Sequence, residues 1–156
     1  MVKVRVPLSK KTDLAFKELS KIGSGEKHLF TADLSEKESV LKALEKIKAQ
    51  FEALDVLINN AGVFKTKETK NSEGQEFNFA VNFQAGALIS KNLEALLSNS
   101  TDPRIINVSS ELYRNAKPNQ ADIFKETKYN ASKNYAYSKM LVNLLTKALA
   151  EENSEI

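Results

Sequence analysis

Residues 54–62 read LDVLINNAG, and the reading of that stretch decides the fold. An apolar run ended abruptly by turn residues predicts a strand buried on both faces, the kind found in a parallel sheet covered by helices. The turn itself, Asn59, Asn60, Ala61 and Gly62, holds only small and amide side chains. A bulky residue there would block the close approach of a flat ligand, and glycine permits positive φ. An ordinary strand-terminating turn has the same composition, so the turn alone does not identify a site.

On the C-terminal side, a polar loop over 65–74 leads to a long helical pattern over 73–97, with Phe77, Val81, Leu88, Ile89, Leu93 and Leu96 on its buried side. Residues 103–109 (PRIINVS) predict the next buried strand, a polar stretch follows over 115–130, and a last helix runs over 131–151. On the N-terminal side, Val40, Leu41, Leu44, Ile47 and Phe51 repeat at helical spacing within 36–51. Ser35 followed by Glu38 has the form of a capping box for that helix. Residues 28–33 (HLFTAD) and 2–6 (VKVRV) predict strands, and 12–22 a helix stopped by Gly23 and Gly25. Alternating strands and helices predict an α/β chain with a doubly wound parallel sheet and helices on both faces. Such sheets bind ligands beyond the carboxyl ends of their strands, here at Arg5, Asp33, Asn59 to Gly62, and Ser109 to Ser110.

At 156 residues the chain is about one domain long, and no internal repeat or linker divides it. Its 42% hydrophobic and 28% charged residues are those of a soluble globular protein. A net charge of +3 with scattered lysines argues against a nucleic-acid partner. No segment approaches the roughly 18 consecutive apolar residues of a membrane span, and the first residues lack a signal peptide's apolar core. With no cysteine there is no disulfide, thiol nucleophile or cysteine-based zinc site, and a cytoplasmic setting is expected. His28 is the only histidine and reads as an ordinary strand residue. Acid–base chemistry near neutral pH therefore falls to Asp, Glu, Lys or Tyr with shifted pKa values.

Several polar residues stand where ligands bind. Asp33 offers a short acceptor at a strand end, though an Asp beside a helix start is as common. Asn82 interrupts an apolar helix (FAVNFQAG), where a buried amide without partners costs roughly 1–3 kcal/mol. It must tie backbone segments together or hold a water. Ser109 and Ser110 close the strand at 103–109. Tyr135 precedes Lys139 by one helical turn. A free tyrosine titrates near 10, and an ammonium within about 4–6 Å favours the phenolate. That pair suits oxidation of an alcohol or reduction of a carbonyl, with the hydride carried by a nicotinamide.

Taken together, Asp33-Leu34, Asn59-Asn60-Ala61-Gly62, Asn82, Ser110 after INVS, and Tyr135-x-x-x-Lys139 resemble the short-chain dehydrogenase/reductase superfamily, over about residues 2–151. INNAGV, RIINVSS and YSKMLVNLL look most like its retinol-dehydrogenase-like branch. The resemblance implies a Rossmann-like fold and a site residue by residue. Tyr135 would be the catalytic acid/base. Lys139 would lower its pKa and bind the nicotinamide ribose. Ser110, rather than Ser109, would orient the substrate oxygen, and Asn82 would hold a relay water. Asp33 and Leu34 would lie at the adenine, with Asn59, Asn60, Ala61 and Gly62 along the adenine-ribose side. Arg5 would pair with a 2′-phosphate and favour NADP over NAD. The substrate would be a small-molecule alcohol or carbonyl, lipophilic in the manner of a retinoid, steroid or lipid aldehyde. The last helix, with Met140, Leu141, Leu144 and Leu145, would serve either a homodimer interface or this chain's own core.

The sequence departs from the pattern at one place. The family's glycine-rich phosphate-binding turn, TGxxxGxG, is matched by none of the five glycines, and Gly23-Ser24-Gly25 follows a helix instead of opening one. Residues 2–6 look like the family's second strand. The expectation is an internal portion of a longer reductase that alone binds NAD(P)H weakly or not at all and shows little carbonyl-reductase activity. The alternative reading is a non-catalytic relative of the same fold that acts through protein association.

Overall fold

The computed structural model describes Glu18, Lys21 and residues 25–117 and 129–152. The expected strand at 2–6, with Arg5, and most of the expected helix at 12–22 lie outside the described residues. Among the described residues, the first element with complete bounds is helix α1 (Lys37–Gln50), which buries Val40, Ala43, Leu44 and Ile47 on one stripe. Strand β1 (Val56–Asn59) follows. A continuous helical run then comprises α2 (Phe77–Phe79), a π turn (Ala80–Gln84) and α3 (Ala85–Ser98). Strand β2 (Arg104–Asn107), a 3-10 turn (Glu111–Asn115) and helix α4 (Ala131–Glu152) complete the order.

β1 and β2 pair in parallel, Val56 opposite Arg104 and Asn59 opposite Asn107. The hydrogen bond from Arg104 N–H to the Asp55 carbonyl (2.8 Å) opens the ladder, and that from Val108 N–H to the Asn59 carbonyl (2.9 Å) closes it. Parallel neighbours require a crossover connection, which the helical run supplies. Leu57 points into the core with Val81, Ala85, Leu44 and Leu97.

Four expectations need correction. Neither strand is buried on both faces: Ile58 is 57% exposed and Ile106 45%, with Val56 and Val108 also exposed. The described helices cover only the Leu57 side of the pair. Residues 28–33 form no strand, because no described strand lies alongside to complete a ladder; the alternation of buried Phe30 and Ala32 with exposed Thr31 survives. The box at Ser35 is not formed. Helix α1 begins one residue later than Ser35 would cap, and Glu36 at its N-cap makes no side-chain cap. The long helix starts at Phe77 and not Glu73, since Gly74 turns the chain at φ 78° and the Glu76 carboxylate caps Phe79 N–H.

His28 is an ordinary packed histidine. Its Nδ1 meets Gln50 Nε2 at 2.6 Å, and its ring stands edge-on to Phe51 with centroids 5.0 Å apart.

Candidate functional site

Helix α4 carries the central pair. Asn130 caps it, its Oδ1 accepting from Lys133 N–H (3.0 Å). From there the helix buries Asn134, Ala136, Ser138, Lys139 and Val142 along its inner face. Lys139 is only 4% exposed, and its Nζ donates to the Val108 carbonyl just past β2 (2.9 Å). The Ser109 hydroxyl donates back to the Lys139 carbonyl (3.2 Å), so strand end and helix are joined twice. Burial pulls the Lys139 pKa below the ordinary lysine value of 10.5.

Asn82, in the π turn, faces the same place. Its Oδ1 accepts from Val63 N–H (2.7 Å), and its Nδ2 donates to the Val63 carbonyl (2.9 Å) and to Ser138 Oγ (3.0 Å). The amide thus ties the loop after β1 to α4 through the residue next to Lys139. Gly62 completes the cluster. A Cβ there would stand 3.3 Å from Lys139 Nζ and 3.6 Å from Asn82 Oδ1, so the glycine keeps open the space in front of the ammonium.

Tyr135 lies one turn before Lys139, partly buried, its ring tilted at 58° against Phe64 with centroids 5.1 Å apart. Ser110 opens the 3-10 turn, its Oγ accepting from Leu112 N–H (3.3 Å). Its hydroxyl proton makes no hydrogen bond among the described residues, whereas that of Ser109 is committed to Lys139. The 3-10 turn packs along α4, which brings the Ser110 end of β2 to the helix that carries Tyr135.

The remaining expected residues separate from this cluster. The Asn59 side chain, on the same side of β1 as Leu57, turns away toward α3, donating to Ser90 Oγ (3.0 Å) and Asn107 Oδ1 (2.8 Å). Asp33 is engaged at the approach to α1, accepting from Ser35 N–H (2.9 Å) and Ser35 Oγ (2.6 Å). Leu34 is buried in the core. Asn60 and Ala61 are exposed beside Gly62. Leu34, Asn59 to Gly62 and Asn82 also line a cavity of about 710 Å³, whose walls come from α1, β1 and the turn after it, the π turn, α3 and α4, and Ser110, Tyr135 and Lys139 are not among them.

Sequence reasoning missed a buried group at the start of the helical run. The Asn78 Nδ2 donates to Glu76 Oε1 (2.8 Å) and Tyr129 Oη (3.1 Å), and its Oδ1 accepts from Lys65 N–H (2.9 Å). The signal was present in FNFAVN, where Asn78 and Asn82 are four apart on one helical face. Among the described residues no cluster of His, Cys, Asp or Glu could hold a metal, and no helix is long and apolar enough to cross a membrane.

The short-chain dehydrogenase family model matches residues 2–155. Retinol dehydrogenase 14 of Mus musculus is 40% identical over 118 residues, covering 76% of this chain and 35% of that protein. The Homo sapiens protein of the same name is 38% identical over 128 residues, covering 82% and 38%. The chain therefore spans little more than a third of the length of these relatives. Among solved structures, a metagenomic short-chain oxidoreductase in complex with NADP superposes with a TM-score of 0.72 at 23% identity, over 97% of this chain and 64% of that one. A short-chain dehydrogenase from Sphingobium yanoikuyae in complex with NADPH gives 0.72 at 22%, over 98% and 56%.

Proposed function

The chain belongs to the short-chain dehydrogenase family, on its retinol-dehydrogenase-like side, and from that premise we propose that it carries the proton-handling half of an NAD(P)-dependent alcohol–carbonyl oxidoreductase site. The observation that carries the reading is the convergence of a buried Lys139 ammonium, Asn82 and Gly62, with Tyr135 one turn away on the same helix. The space kept open by Gly62 in front of Lys139 fits the ribose side of a nicotinamide. Gly62, Lys139 and Tyr135 would hold that side, with NADP preferred over NAD only through Arg5.

When bound, a nicotinamide supplies or accepts the hydride. The chain's residues manage the proton. In the reducing direction Tyr135 gives its phenolic proton to the carbonyl oxygen as negative charge develops there, and in the oxidising direction the phenolate takes it back. The Lys139 ammonium stands one turn away in a poorly solvated position, held by the Val108 carbonyl. The uncommitted Ser110 proton hydrogen-bonds the substrate oxygen. Phe64, 47% exposed against Tyr135, gives the entrance an apolar wall that suits a lipophilic aldehyde or alcohol.

The test follows NADPH oxidation with an apolar aldehyde. Tyr135→Phe is expected to lower the rate by about 10²–10⁴-fold, the usual weight of one acid–base group; an undiminished rate would sink the assignment. A second reading, the fold without cofactor binding, is favoured by Asp33 and Asn59, whose side chains are spent on internal hydrogen bonds. Nicotinamide fluorescence that does not respond to added chain would decide for it. A homodimer through α4 is proposed only for the strip around Leu144, which is 55% exposed, and sedimentation of Leu144→Lys against the parent tests it.

A further inference from the structure

The Glu76–Asn78–Tyr129 group plays no part in the reaction just described, yet Glu76 and Asn78 are buried, Tyr129 is partly buried, and all three are hydrogen-bonded to one another or to the backbone. Its target is the loop after β1. Asn82 takes both backbone groups of Val63, while Asn78 takes the N–H of Lys65 and the Tyr129 hydroxyl donates to the Lys65 carbonyl (2.6 Å). Residues 63 and 65 are therefore bonded as in a strand ladder, with side chains standing where a neighbouring strand would be. In extended chain the residue between them projects to the opposite side. That residue is Phe64, and its ring meets Tyr135.

The brace is itself held. The Glu76 carboxylate accepts from Asn78 Nδ2 (2.8 Å) and Phe79 N–H (2.8 Å), which ties Asn78 to the helix start. Burial raises the Glu76 pKa, with those hydrogen bonds opposing the rise. No buried side-chain nitrogen or oxygen lacks a partner among the described residues. Tyr129 also immediately precedes Asn130, the cap of α4, so a single anchor fixes the loop and the beginning of the helix that bears Tyr135.

We propose that Glu76, Asn78 and Tyr129 are positioning residues that clamp the Lys65 backbone and so hold the Phe64 ring against Tyr135, setting the orientation of its phenol. The catalytic consequence rests on the reading of Tyr135 as acid/base; the ring contact does not. The experiment is proton NMR on the full chain with isotope-labelled Phe and Tyr rings. The chain is expected to show a Phe64–Tyr135 ring cross-peak that is lost in Tyr129→Phe, which removes only the hydroxyl. Leu97→Ala, which weakens the core away from the loop, keeps it. Absence of the cross-peak in the parent chain, or its survival in folded Tyr129→Phe, overturns the proposal. Should Tyr129→Phe not fold, Phe64→Leu at its half-exposed position carries the test. The Tyr135 ring signals then shift while those of Tyr113 stay, and unmoved Tyr135 signals overturn it. Where turnover is measurable, Tyr129→Phe lowers kcat about 10- to 100-fold, as small misplacements do, with the KM for NADPH unchanged. Absent turnover in the parent counts against the oxidoreductase reading alone, because the cross-peak is read without cofactor.

Discussion

Lys139 is the residue at which function and stability oppose each other. Its ammonium is nearly out of water, with the Val108 carbonyl as its hydrogen-bond acceptor. Burial lowers its pKa from 10.5, so between the folded value and 10.5 the unfolded chain binds more protons, and this group's contribution makes stability rise with pH. Lys139→Met should flatten that part of the curve. Denaturant midpoints of parent and variant should converge toward the parent's favour as pH approaches 10.5, and a pH-independent difference would contradict it. At neutral pH the variant is relieved of the ammonium's desolvation but leaves the Val108 carbonyl without its donor, so the two effects oppose each other there. The proposed activity should vanish. Lys139, Tyr135 and Asn82 were legible because their chemistry is unusual for where they stand in the pattern. Asn59 was legible in a way that composition concealed. Period two places it on the Leu57 side of β1, toward the helices and away from Lys139.

At the scale of elements, the helical run over 77–98 does more than cross from β1 to β2. Its π turn carries Asn82 and its first turn carries Asn78, so two successive amides grip the same loop. Hydrophobic period located the run but not its start, because Gly74 and Glu76 look acceptable within a helix until the φ of 78° and the cap at Phe79 are seen. Periodicity also ignores amides, and so it missed the role of Asn78. Asn82→Ala would leave Val63 N–H and C=O and Ser138 Oγ each without that partner. The cost is about 1–3 kcal/mol for each group that water does not reach, with loop amide exchange at Val63 accelerated more than exchange in α1. Uniform acceleration across the chain would show that Asn82 acts on the whole core and not on this junction.

For the whole molecule, the parallel α/β order was legible from the alternation of apolar runs, while the two-sided burial of the strands was not realised among the described residues. A run such as LDVLIN states that both faces are apolar; it cannot state what lies against each. In the structure Leu57 meets the helices, and Val56, Ile58, Ile106 and Val108 form an apolar outer face. An exposed patch of that kind attracts hydrophobic dyes and promotes association. The two faces make opposite predictions for the same chemical change. Ile58→Thr together with Ile106→Thr keeps β-branched residues in the strands, and should reduce dye binding while shifting stability by no more than about 0.5 kcal/mol, as surface substitutions do. Leu57→Thr, one residue away on the inner face, should cost about 2–4 kcal/mol by opening a cavity and burying a hydroxyl beside Val81 and Leu97. Urea midpoints of the three chains decide the matter. An outer-face double variant that loses as much as Leu57→Thr would mean that Ile58 and Ile106 are buried in solution, and that the sheet is covered on both sides after all.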